Sequence, residues 1–125
     1  MESIDIAVIG DNGYSKTERV CGQDKDHENR ISDFGLCDMA GNVWELTSDA
    51  YDPKFYDRMP ARDPHNPVTD PSKQWPELRG GSCIRLKHDA RATKRYYDRP
   101  TVRSYNVGFR CAWSANFKGP LKKAK

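Results

Sequence analysis

The sequence predicts a single irregular, loop-rich α+β domain, and three observations carry that expectation. Leu, Ile, Val and Phe supply only 20 of the 125 residues, too few for a large aliphatic core. Against disorder, the chain has three Trp and six Tyr and a formal net charge of only +3. Six of the eight prolines fall within residues 51–76, which excludes a central strand or a helix there. The length allows one domain. Such a chain has to hold its loops with aromatic rings, arginine–acid pairs or metal instead of aliphatic packing.

Taken in order, IDIAVI (4–9) reads as a short strand and the following GDNGY as a turn rich in side-chain acceptors. Residues 15–33 are charged and almost without apolar content, which predicts a surface loop. VWELT (43–47) alternates apolar and polar residues, as a half-buried strand does. The proline-rich stretch 51–76 is a long loop, either functional or an excursion from the common fold. ELRGGSC (77–83) reads as a strand interrupted by a glycine pair, where a backbone or ligand comes close. DARATKRYY (89–97) is expected to make two helical turns, with Arg91 and Arg95 on one face. NVGFRCAW (106–113) reads as a final strand, with Phe109, Cys111 and Trp113 on one face and Arg110 on the other. Residues 118–125 form a basic tail.

Several function classes drop out. No run of 18 apolar residues exists, so no membrane-spanning helix is expected, and the first residues lack the basic segment of a signal peptide. A cytoplasmic setting is the default. The basic tail comes without a groove-reading motif, so nucleic acid is not an expected partner. Cys21, Cys37, Cys83 and Cys111 show no zinc or thioredoxin spacing; three pairings are open to them, and reduced, buried thiols are the default expectation. His27, His65 and His88 lie in separate loops with no metal-ligand spacing and are read as surface residues.

Three segments in fixed order then carry a resemblance: FGLCDMAGNVWELTSD (34–49), RGGSC (79–83) and GFRCA (108–112), with Arg91 and Arg95 between the last two. Together they resemble the formylglycine-generating enzyme, or sulfatase-modifying factor, family. The resemblance implies a C-type-lectin-like fold over residues 1–117, with the N-terminal half of the family domain missing. It also implies a calcium site at the first motif, using the side chains of Asp38 and Glu45 and the carbonyls of Gly41 and Val43. Calcium takes about six to eight oxygen ligands from a chain that can curl, which this acid- and glycine-bearing run offers. A second calcium site would use the side chains of Asp5 and Asn12 and the carbonyls of Ile6 and Tyr14. Both would be structural. Ser82 and Asn106 match positions that line the family's peptide groove, and Arg79, Arg91, Arg95 and Arg110 match recurrent arginines. Those arginines are read as half-buried clamps, since one guanidinium satisfies several carbonyls at once. Trp44 is read as core.

Enzymes of that family oxidise a cysteine to formylglycine with copper held by two cysteines after RGGS. Copper(I) is soft and prefers thiolates. Here those two positions are Arg85 and Ala90, and no cysteine occurs from Ile84 to Arg110, so no copper is expected. The leading expectation is a non-catalytic, calcium-stabilised binding domain with a peptide or protein ligand. Two alternatives stay open: one part of an oxidoreductase completed by an N-terminal half on another chain, and a lectin-like protein whose variable loops bind ligand.

Overall fold

The structure is a computed structural model that describes residues 7–21 and 30–112. Its centre is a four-stranded sheet, small and mixed, with strand order β3-β2-β1-β4. The four strands are β1 (Trp44–Ala50), β2 (Pro76–Arg79), β3 (Tyr96–Tyr97) and β4 (Val107–Gly108). β1 lies antiparallel to β2, with Glu45 opposite Arg79 and Leu46 opposite Leu78. An irregularity then shifts the register so that Ala50 meets Pro76. On its other side β1 runs parallel to β4, with Trp44 opposite Val107. β3 closes the far edge against β2, with Leu78 opposite Tyr96.

The strand expected at 43–47 therefore forms and runs on to Ala50. The expected alternation does not appear in its burial: only the two ends, Trp44 and Ala50, are buried, and the residues between them are more exposed. The buried hydrophobic residues are few: Ala7, Val8, Ile9, Trp44, Ala50, Leu78 and Cys83. Fully burying a side chain such as Leu78 stabilises by about 1.5–3 kcal/mol, so this core alone is thin. Rings and guanidiniums extend it. Tyr96 stacks on Trp44 with centroids 5.3 Å apart, and Tyr97 lies against both Tyr51 (4.3 Å) and Trp75 (5.3 Å).

Other expectations are corrected. Residues 89–97 make no helix; they turn irregularly and end in β3. The Ala92 carbonyl, which a helix over 89–97 would give to the Tyr96 N–H, instead accepts from Arg79 Nη1 at 2.9 Å, as the Lys94 carbonyl does at 3.2 Å. The final strand is also shorter than its alternation suggests. Pairing ends at Gly108, where Arg110 is drawn to Glu45 and the Cys37 carbonyl, and Phe109 and Cys111 face solvent. Trp113 and His27 lie outside the described residues, as do Asp5, Ile6 and the basic tail. Of the segment 4–9, the described part joins the molecule through a single parallel bridge, Val8 to Gly41, before a 3₁₀ turn at Gly10–Asn12. The thiols differ from expectation as well: Cys21 and Cys37 form a disulfide, while Cys83 is free and buried. Position 21 turns back under the first motif, and this brings the two α-carbons to 5.1 Å.

The loop 51–76 keeps the irregular character its prolines dictate, with one 3₁₀ turn at Phe55–Asp57 and an isolated bridge from Asp49 to Pro67. Among the described residues no helix is long and apolar enough to cross a membrane.

Candidate functional site

The motif 34–49 is a curled turn feeding β1. Asp38, Gly41 and Asn42 all have positive φ (51°, 85° and 61°), the left-handed region that Gly, Asn and Asp enter most readily. At Gly41 no other residue fits: an added Cβ would lie 2.3 Å from the Val8 carbonyl oxygen. That close approach lets Asn42 N–H donate to the same oxygen at 2.8 Å. The buried Asn42 side chain then pairs with the backbone of residue 18, accepting from its N–H at 3.0 Å and donating to its carbonyl at 3.2 Å. Its carbonyl takes the Cys83 N–H at 2.9 Å. Asn42 thus ties three distant segments together. The sequence reading passed over it, although an amide after a glycine inside the strongest motif is the signal for such a role.

The acids of the motif have different surroundings. Asp38 is buried, and its Oδ2 accepts the Cys21 N–H at 2.9 Å. Its Oδ1 is buried with no hydrogen-bond partner. Glu45 receives both Nε and Nη2 of Arg110, the former at 2.7 Å. That hydrogen-bonded carboxylate, more than the burial opposing it, raises the Arg110 guanidinium further above its ordinary range. Asp38, Asn42, Val43, Glu45 and the disulfide line one pocket of about 300 Å³, together with Leu36 and Phe109. Two carboxylates and nearby backbone oxygens are a hard donor set that suits calcium. The orphaned Asp38 Oδ1 fits a cation; Glu45 fits one only where the ion shares or displaces Arg110. Among the described residues no group of three His, Cys, Asp or Glu side chains converges.

Of the second calcium set, the described members are Asn12, which ends the turn at Gly10–Asn12, and Tyr14, two residues on. Asn12 Nδ2 donates to the Ala7 carbonyl at 2.9 Å, and the Tyr14 hydroxyl accepts from Arg30 at 2.7 Å.

Ser82 and Asn106 are brought together, but inside the protein. Both are buried, and Asn106 Nδ2 donates to Ser82 Oγ at 3.3 Å. The Asn106 carbonyl accepts the Trp44 N–H at 2.8 Å, so the pair fixes the start of β1 to the approach of β4. After Ser82 the chain passes Cys83, whose thiol is pushed up by burial. Arg85 follows, with its guanidinium 5.6 Å from the Tyr96 ring centroid. Asp89 is buried and pairs with Lys94 at 3.2 Å.

Three of the four arginines act as clamps. Glu77, buried on β2, is shared by Arg79 Nε at 2.5 Å and Arg95 Nε at 2.6 Å. Arg79 also donates to the Tyr56 hydroxyl, and Arg95 to the Asp52 carbonyl while lying over the Tyr51 and Tyr56 rings. Arg110 holds Glu45. Arg91 is exposed and only donates to the His88 carbonyl three residues back.

Residues 8–115 match the sulfatase-modifying factor enzyme 1-like domain. The chain is 41% identical over 92 residues to the formylglycine-generating enzyme of Streptomyces coelicolor, covering 70% of this chain and 28% of that protein. It is 37% identical over 84 residues to inactive C-alpha-formylglycine-generating enzyme 2 of Mus musculus, covering 67% of this chain and 23% of that protein. Among solved structures, Treponema denticola variable protein 1 superposes with a TM-score of 0.60 at 26% identity, covering 84% of this chain and 34% of that one. The chain therefore spans about a third or less of the length of each.

Proposed function

The chain belongs to the sulfatase-modifying factor enzyme 1-like family, and from that premise we propose that it is a non-catalytic binding domain stabilised by calcium. The observation that carries this reading is the segment after Ser82. Where the family's copper thiolates are expected, this sequence has Arg85 and Ala90, and the next cysteine after Cys83 is Cys111. A guanidinium cannot ligate copper, and Arg85 is already stacked on Tyr96. Cys83 precedes that stretch as a buried thiol with its pKa pushed up, the opposite of what a ligand or nucleophile needs. The Mus musculus relative whose name calls it inactive gives the reading a counterpart.

The test is aldehyde formation on a Cys-x-Pro-x-Arg peptide with copper and oxygen. The expected outcome is none; turnover would overturn the reading. The Streptomyces coelicolor enzyme favours a second reading, in which this chain is one part of an oxidoreductase and the remaining portion brings the metal ligands. Activity recovered only on adding that portion would establish it. The likeness to the Treponema protein favours a third, in which residues 84–105 present a ligand-binding face for a peptide or protein.

Calcium at the first motif rests on the buried, unpartnered Oδ1 of Asp38. The ion would draw on Asp38, the carbonyls of Gly41 and Val43, and Glu45 in competition with Arg110. It would supply positive charge to a turn that otherwise buries a bare carboxylate oxygen, a structural and not a chemical service. Chelation is expected to lower the melting temperature, and Asp38→Ala to remove that sensitivity. A melting curve indifferent to both would eliminate the site. The second set, Asp5, Ile6, Asn12 and Tyr14, belongs to the same proposal and is tested by Asn12→Ala in the same assay.

A further inference from the structure

The proline-rich loop builds a second pocket, on the opposite end of β1 from the calcium motif. It is about 470 Å³, within the range of small-molecule sites. Tyr51, Trp75 and Tyr97 pack on one another in its lining, which also includes Asn66, Gln74 and Arg58. Trp75 and Tyr97 are 42% and 38% exposed, so ring surface remains uncovered although the three rings already pack on one another.

The two amides are pinned by their other bonds. Gln74 Oε1 accepts from Thr69 N–H, Thr69 Oγ1 and Asp70 N–H at 2.7, 3.1 and 2.9 Å. Asn66 Nδ2 donates to the Ala50 carbonyl, and its backbone N–H to Asp49 Oδ1, each at 2.8 Å. These bonds fix which end of each amide is left over: the Gln74 Nε2 donors and the Asn66 Oδ1 acceptor. A spare donor and a spare acceptor, held rigidly beside uncovered aromatic surface, cost little entropy to engage.

We propose that this pocket binds a pyranose sugar ring. A pyranose has one face of C–H bonds, apolar and faintly positive, which complements the negative face of an aromatic ring. Each of its hydroxyls both donates and accepts, so neighbouring hydroxyls satisfy Asn66 Oδ1 and Gln74 Nε2 together. A proline-rich peptide would also fit an aromatic wall, but its prolines have no N–H to give to Asn66. Asp52 in the lining is already paired with Arg58, and Lys73 is paired with Asp70 at 3.2 Å, so no spare carboxylate is left to hold an ammonium, which disfavours amino sugars.

The experiment titrates the full chain with cellobiose, glucuronic acid and glucosamine, reading ¹H–¹⁵N spectra that include the indole and amide side chains. Saturable shifts of the Trp75 indole and the Gln74 and Asn66 side chains are expected with cellobiose or glucuronic acid, at roughly millimolar affinity. Trp75→Ala is expected to weaken binding at least about tenfold. Gln74→Glu keeps the Oε1 acceptor that holds the loop and exchanges the spare N–H donors for a charged oxygen that can only accept. It is expected to leave the backbone spectrum intact and weaken binding about fivefold. The proposal is overturned if neither cellobiose nor glucuronic acid shifts these signals, if Gln74→Glu binds as the wild type does, or if a proline-rich peptide shifts them while the sugars do not.

Discussion

Glu77 is one carboxylate serving two guanidiniums. Arg95, whose side chain is 11% exposed, and Arg79, at 31%, both depend on it for a counter-charge. Removing one member of a buried ion set leaves the others uncompensated, at a cost of about 3–5 kcal/mol. Glu77→Gln is therefore expected to destabilise by about 3 kcal/mol, near the low end because Arg79 is partly solvated. Denaturant titration measures it. Glu77→Asp, which keeps the charge but shortens the reach, should fall between. The clamp role of the arginines was legible in the sequence, but their shared acid was not singled out. Its signal was present in PELR, since residues two apart on a strand point to the same face, placing Glu77 beside Arg79. Asn42 carries a local signal too, an amide after a glycine in the strongest motif, but the residues it ties together, 8, 18 and 83, cannot be read from spacing.

At the scale of elements, the loop 51–76 is held at its two ends by carboxylates. The Arg58 hydrogen bond, then the Lys54 N–H, holds the Asp52 carboxyl below its ordinary value. Ser72, through its hydroxyl and its N–H, does the same for Asp70, with Lys73 adding to it. Both folded values are depressed, so the contribution is complete above the ordinary carboxylate value and is lost as the pH falls through the lowered ones. The amide signals of Lys54 and Ser72, whose N–H groups donate to these two carboxylates, are thus expected to hold steady from about pH 5 to 8 and to change only below about pH 4. Transitions in the histidine range instead would show that other groups govern the loop. Prolines told the sequence reader what this segment is not. They could not tell that Tyr97 packs on both of its ends, because the ends meet through β1 pairing with β2 and Tyr97 arrives only when β3 adds to β2. The missing helix at 89–97 has the same origin: local periodicity favoured turns of helix, and a distant guanidinium, Arg79, took the carbonyls.

For the whole molecule, the sequence made the family and the irregular α+β character readable, through unlike residues at fixed spacing and a shortage of aliphatics. It left the cysteine partners open, since pairing is decided by where loops return. The molecule now has three distinct sulfur environments, and they make a prediction together. A thiol reagent is expected to modify exposed Cys111 at once and buried Cys83 only after unfolding, while Cys21 and Cys37 stay unreactive until reduced. Reduction opens a loop with a sequence separation of 16, a constraint that stabilises by about 3 kcal/mol. Two fast-reacting thiols in the untreated protein would contradict the burial of Cys83.

The strand order also dictates a schedule. Among the described residues β1 precedes the other strands and is one of the two inner strands of the sheet, and its partners arrive later, the last of them at Val107–Gly108. A ribosome adds about 5–20 residues per second, so β1 waits several seconds with both edges unpaired and Trp44 uncovered. Local contacts cannot shelter it in that interval, because closing long loops must precede the contacts that reward it. Nascent chains stalled before residue 107 are therefore the form of this protein most in need of a chaperone.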